Sequence, residues 1–198
     1  MHETKLYLVE WPSVDGLLRA FEPTTAELAA AAPALADAYN DAHNRAMMAH
    51  SADMTAVEVI SHFATMRAQH GRPFLLELDG VLMGDADLRH IAGGAAEFAI
   101  MVGQRHKQGK GLGTRFTLML HALAFRGLEL THLYVTIIPA NHASQRLFEK
   151  IGYARDDSPT ARAYIDEEED LTFSMSKAAF EARHAPALTQ VSWEVRRA

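Results

Sequence analysis

The chain has 198 residues, 48% of them hydrophobic and 22% charged, with a net charge of -6 and no cysteine. That balance excludes a disordered, collagenous or low-complexity chain and predicts a single domain over 1–198 that folds without disulfide or metal. The acid excess argues against nucleic-acid or anionic-membrane partners, and the missing cysteine removes disulfides, thiolate zinc sites and a cysteine nucleophile.

In chain order, Lys5 to Trp11 is short, apolar and rich in β-formers, and reads as a strand. Thr24-x-x-Glu27 is a capping box that starts an Ala-rich helix, which Pro33 is expected to kink or restart before its end near Met48. Thr55-x-x-Glu58 is a second capping box; Val59, Phe63 and Met66 share the next helical face, and Gly71 stops it. Pro73 to Leu78, the Asp79-Gly80 turn and Val81 to His90 form a hairpin, and Gly93-Gly94 leads into a further strand from Ala95 to Val102. Leu112, Phe116, Met119, Leu120 and Leu123 make a helical stripe, and His132 to Ile138 is strand-like. Asn141 caps a short helix that ends at Gly152. Tyr164-Ile165 and Leu171 to Met175 are expected to pair as a last hairpin around the acidic run Asp166 to Asp170, with a helical tail from about Lys177. The order predicts one α+β domain. No apolar run can span a bilayer, and the N-terminal stretch, carrying Glu3 and Glu10, does not read as a secretory signal; both are compatible with a cytoplasmic protein.

The most informative segment is Gln108-Gly109-Lys110-Gly111-Leu112-Gly113-Thr114, between a strand and a helix. Its glycines free backbone N–H groups, and the helix N-terminus adds positive potential, a combination suited to a diphosphate. Arg105, Lys107, Lys110 and Arg115 reinforce it, with no acid between Glu97 and Glu129. A P-loop fails because Gly111, not Ser or Thr, follows Lys110, and G-x-G-x-G inside an antiparallel context is a poor Rossmann loop. A Q-x-x-G-x-G loop for the coenzyme A diphosphate and a glycine-rich turn without ligand remain.

Together, Glu97-Phe98-Ala99-Ile100-Met101-Val102 with Gln108 to Gly113 resembles motif A of the GNAT N-acetyltransferase superfamily, and Asn141 to Tyr153 resembles its motif B. The resemblance covers about Pro73 to Met175. It implies a mixed, mostly antiparallel central sheet, flanked by helices and splayed open after the strand ending near Val102, with acetyl-CoA in the cleft. Main-chain groups of Met101 and Val102 would pair with the pantetheine arm, amides of Gln108, Gly109, Lys110, Gly111, Leu112, Gly113 and Thr114 would hold the diphosphate, and Asn141 would touch the arm. The implied activity is direct acetyl transfer to a primary amine of a small molecule, or to a protein lysine or N-terminus. A homodimer is compatible with it. A non-catalytic acyl-CoA sensor with the same fold is the rival.

Direct transfer needs a base and a donor for the leaving thiolate. Glu97 is the lone carboxylate of its strand, sharing a face with Ala99 and Met101, and relatives with a similar Ala-Glu-Phe-Ala start use this residue as base. Many members carry Tyr where this chain has Phe148, which cannot protonate a thiolate; Ser144, one turn beyond Asn141, is the substitute candidate, set against a hydroxyl bonded to its own helix backbone. Tyr153 reads as packing. His90 is an alternative base, and Asp85 and Asp87 share one strand face as expected exposed residues within reach of substrate. The eleven histidines show no metal-ligand spacing, so no metal is expected. The acidic run is either a solvated loop or a lure for a cationic acceptor.

Overall fold

The computed structural model describes residues 5–48, 53–103 and 111–197. Its elements are β1 (Leu6–Ser13), β2 (Gly16–Phe21), α1 (Thr25–Asn40), α2 (Ala42–Met47), α3 (Ala56–Ala68), β3 (Arg72–Leu78), β4 (Val81–Ala92), β5 (Ala95–Val102), α4 (Leu112–Ala122), β6 (His132–Ile137), α5 (His142–Ile151), β7 (Ala154–Arg155), α6 (Pro159–Arg162), β8 (Leu171–Ser176), α7 (Lys177–Leu188) and β9 (Ser192–Arg196). The strands form one sheet in the order β7-β8-β6-β5-β4-β3-β2-β1-β9. Every pair is antiparallel except β5 with β6.

That exception positions the site. β5 pairs with β4 as far as Val102, but with β6 only over Ala95–Glu97 against His132–Tyr134. Beyond Glu97 the two strands diverge, and the sheet opens where the resemblance implies a splay. A mixed, mostly antiparallel sheet flanked by helices is therefore present.

Each sheet face carries its own core. Phe74, Phe98, Phe116, Met119, Phe125, Phe148 and Phe180 pack on the side of α4, α5 and α7. Leu35, Tyr39, Phe63, Leu75 and Met101 pack on the side of α1 and α3. Side chains alternate along β5, with Ala96 and Phe98 in the first core and Met101 in the second.

Both capping boxes form: Thr24 and Thr55 accept from the amides of Glu27 and Glu58, whose carboxylates bond back. Asp79 and Gly80 both take positive φ, +50° and +76°, as a tight hairpin turn of this hand requires. Three expectations are corrected. Helix α1 runs through Pro33 without a break; the break falls at Asp41, whose side chain caps α2 through the amides of His43 and Asn44. β2 and β9 extend the sheet at the β1 end, β9 pairing Arg196 to Ser192 with Leu6 to Glu10. The last hairpin does not form: β8 pairs with β6 and β7, and Pro159–Arg162 is a helical turn capped by Ser158. A wide π-type turn, Leu123–Gly127, ends the α4 stripe. Among the described residues no helix is long and apolar enough to cross a membrane.

Candidate active site

A cleft of about 480 Å³ occupies the opening between β5 and β6, within the range of small-ligand sites. Ile100, Met101 and Val102 of β5 form one wall, and Asn141, Ala143, Ser144 and Leu147 form the other. Gly111, Gly113 and Thr114 bring the start of α4 to it. Gly111 caps α4 in a left-handed conformation, φ +79°, with no side-chain bond to the first-turn amides and open space where a Cβ would stand. Those amides and the helix dipole thus face an anion site. A Cβ on Gly113 would lie 2.9 Å from Leu147, so that glycine lets α4 and α5 approach across the cleft. The expected ligands Gln108, Gly109 and Lys110 lie outside the described residues, as do Arg105 and Lys107. Leu112 turns its side chain into the core, leaving only its backbone for a ligand. Arg115 is ion-paired with Asp15. Two cations that the sequence reading passed over, Arg146 and Lys150, line the cleft from α5. Their i, i+4 spacing, on a helix already read from its Asn141 cap, was the available signal. These features fit a long anionic thioester ligand: an uncovered strand edge, a helix N-terminus and added positive charge.

Asn141 lines the cleft with its side chain already engaged. Its Oδ1 accepts from the Ser144 amide at 3.0 Å, and its Nδ2 donates to the Met47 carbonyl at 3.0 Å, tying α5 to α2. His43, Asn44 and Met47 of α2 complete the cleft on that side and had no sequence signal. Phe148 is buried edge-on against Phe98 and Tyr153. Tyr153 is core, as expected, and its hydroxyl lies 2.6 Å from His121 Nε2.

The face of β5 turned toward α1 carries one buried carboxylate. Glu97 is 2% exposed and sits at the root of the splay. Arg89 grips it with Nε and Nη2, both at 3.0 Å; Thr136 Oγ1 donates at 2.8 Å and His90 Nδ1 lies at 3.1 Å. Arg89 and His90 are consecutive on β4, yet both reach one carboxylate. The register shift after Arg89 and the left-handed φ of His90, +53°, turn His90 onto the same face. Glu97 lies where the pairing of β5 with β6 ends, outside the cleft lining, and both its oxygens are occupied. Asp85 and Asp87 are not exposed strand residues: they are 8% and 9% exposed. Burial, above all, pushes the Asp85 carboxyl up to about 7 and that of Asp87 up to about 6.

Tyr164 stacks on Tyr134 at 4.8 Å and approaches His90, linking the acidic loop to this face. The run itself divides. Asp166 to Glu169 are exposed, whereas Asp170 is buried and accepts from the Glu167 amide, with Arg162 holding the carbonyls of Glu168 and Asp170. Among the described residues no group of three metal-type side chains comes together.

Known proteins share this architecture. The Mycobacterium smegmatis RimJ structure in complex with CoA-disulfide is 16% identical, with 98% of each chain covered and a TM-score of 0.68. Spermidine N-acetyltransferase from Vibrio cholerae, in complex with CoA and spermine, is also 16% identical, covering 82% of this chain and 97% of that one, TM-score 0.67. Aminoglycoside acetyltransferase AAC(6')-Ib with coenzyme A and kanamycin is 20% identical, covering 78% and 94%, TM-score 0.64. At these identities the likeness is one of fold. Residues 17–154 match the family model described as "Acetyltransferase (GNAT) domain", well over half the chain. With that match the chain belongs to the GNAT acetyltransferases, enzymes that use acetyl-CoA as acetyl donor.

Proposed function

We propose that this enzyme moves the acetyl group directly to a primary amine, of a small molecule or of a protein lysine or N-terminus, with no acyl-enzyme. The observation that carries this reading is the parting of β5 from β6 beyond Glu97, beside the open N-terminus of α4. In this reading Met101 and Val102 flank the pantetheine arm, and Gly111 to Thr114 with Gln108 to Lys110 hold the diphosphate. Arg146 and Lys150 add positive charge, and Asn141 fixes the start of α5. Ser144 supplies the hydroxyl that Phe148 lacks, for the sulfur that leaves. Glu97 acts as a fixed charge that orients Arg89 and His90, because its oxygens are already filled by donors. The acceptor enters from the face of α1 and α2, where Asp85, Asp87 and Glu97 are buried beside the apolar core, so a cationic amine is the matching substrate. The neighbours crystallised with kanamycin and spermine bind amines of that kind.

The test has two parts. Calorimetry is expected to give one acetyl-CoA per chain. A panel of amines, followed by free-thiol release, is expected to identify an acceptor. The absence of a hydroxyl at Phe148 favours the sensor reading, and that reading prevails if coenzyme A binds tightly while no amine releases thiol.

A further inference from the structure

β4 carries two carboxylates, Asp85 and Asp87, on the face it shares with Arg89. The register sets Asp85 against Met101, a wall residue of the cleft, and Asp87 against Ala99, two pairs farther along. Both residues are buried, and on each the Oδ1 atom is shielded from solvent and has no hydrogen-bond partner. Asp85 Oδ2 accepts from the Tyr39 hydroxyl of α1. Arg89 Nε stands 3.7 Å from Asp87 Oδ1, an ion pair without a hydrogen bond, and the same guanidinium is bonded to Glu97. Around this pair, the charged and titratable groups among the described residues are Tyr39 of α1, Arg89 and His90 of β4, and Glu97 of β5. Three carboxylates therefore face one arginine and a largely exposed histidine. Carboxylates left unpaired in a protein interior are costly, and the cost is met by protonation or by a cation partner.

We propose that Asp85 and Asp87 form the seat of the acceptor ammonium, with Asp87 holding its charge and Asp85 taking its proton. The proposal rests on the transferase reading and names the group that Glu97 cannot supply. Asp85 is the receiver because its register partner, Met101, is a wall residue of the cleft and because no ion pair occupies its free oxygen. An ammonium placed there donates to both free oxygens and passes one proton to Asp85. The freed lone pair forms the N–C bond to the acetyl carbon, the C–S bond breaks, and its electrons stay on sulfur. The nitrogen's second proton goes to the thiolate, and Asp85 returns the first to solvent. Its raised pKa, about 7, keeps the carboxylate both available and basic near neutrality.

The experiment uses the full chain and an amine taken from the panel, with kcat/KM against pH as readout. Asp85→Asn is expected to lower kcat/KM by about 10²- to 10⁴-fold and to abolish the acid limb. Two milder substitutions are expected to shift that limb in opposite directions. Asp87→Asn removes a like charge and moves it to lower pH; Tyr39→Phe removes a donor and moves it to higher pH. Glu97→Gln is expected to leave the limb in place. The shifts of Asp87→Asn and Tyr39→Phe decide the matter even if Asp85→Asn does not fold. An acid limb unmoved by both, or one that Glu97→Gln abolishes, overturns the proposal alone. A wild-type chain that binds acetyl-CoA in the calorimeter but releases no thiol with any amine overturns the transferase reading and this proposal with it.

Discussion

On the α4 side of β5, His121 has no solvent exposure, is bonded to Tyr153 and is surrounded by Phe98, Phe125 and Phe180. On the α1 side, Asp85 and Asp87 are almost as deeply buried, yet they face one another's charge with few donors. In both regions burial works against the charged form of a titratable group, and the two respond to pH with opposite sign. Burial first, with the charge of His184 adding, pushes His121 down to about 3. The unfolded chain takes that proton near pH 6.5, so the stability contribution is complete above 6.5 and is lost as pH falls toward 3. Asp85 keeps its proton in the fold up to about 7, whereas the unfolded chain releases it near 3.8. Its contribution is complete below 3.8 and is lost as pH rises toward 7. The core around His121 is thus built to exclude charge, whereas the group around Asp85 and Asp87 is short of positive charge.

The largest break of this contrast is expected at the cofactor end. Gly111→Asp places a side chain and a negative charge at the open start of α4, and acetyl-CoA affinity by calorimetry is expected to fall at least about 100-fold. The acid limb that reports the acceptor side is expected to stay where it is.

His121→Leu sharpens the stability half of the contrast. Urea unfolding at pH 7 and pH 4 is expected to show that the variant lacks an acid loss on the order of 3 kcal/mol that the wild type suffers through this residue. It is also expected to lose about 1–3 kcal/mol at pH 7, because the Tyr153 hydroxyl loses its partner. Asp87→Asn works in the other direction. Relief of a buried charge is expected to stabilise the fold by about 1–3 kcal/mol at pH 8, with the gain gone by pH 4, where Asp87 is already protonated. Thermal midpoints at the two pH values check it. A gain of the same size at both would mean that charge is not its origin.

The smallest effect belongs to the exposed part of the acidic loop. Neutralising Asp166 to Glu169, with Asp170 kept because it holds the loop, is expected to raise the acceptor KM a few-fold and flatten its salt dependence, without changing acetyl-CoA affinity. Steady-state kinetics at two ionic strengths separates this from a merely solvated loop.

The strand, the start of α4 and the cap of α5 were legible in the sequence because each is local. An apolar strand, glycines, a helix start and the Asn141 cap follow one another along the chain, and the chemistry of each residue dictates its conformation. The polar group around Asp85, Asp87 and Glu97 is assembled from residues far apart. Nothing in the stretch Gly84-Asp85-Ala86-Asp87 tells that Tyr39 will cover it, nor does the isolation of Glu97 among apolar neighbours reveal that Arg89, His90 and Thr136 will fill its oxygens. The bulge that swings His90 inward is likewise invisible to strand alternation. β2 and β9 were missed for a related reason. Gly16–Phe21 carries a glycine and Arg19, and Ser192–Arg196 is short and half-exposed, so both owe their existence to neighbouring strands rather than to their own pattern. The mistaken last hairpin came from reading a charge run as a turn, when Arg162 gathers its carbonyls instead.

The pairing of β9 with β1 has a consequence during translation. Leu6 to Glu10 meet their outer neighbour only when Ser192 to Arg196 arrive, and Arg196 then fastens to Glu27, drawing that carboxyl down to about 2. At about 5–20 residues per second, the ribosome takes roughly ten to forty seconds to cover that interval. Throughout it β1 is an exposed edge, free to template a strand from another nascent chain. The last strand therefore acts as a seal that is late by construction, and the interval before it closes is when this fold is most open to aggregation.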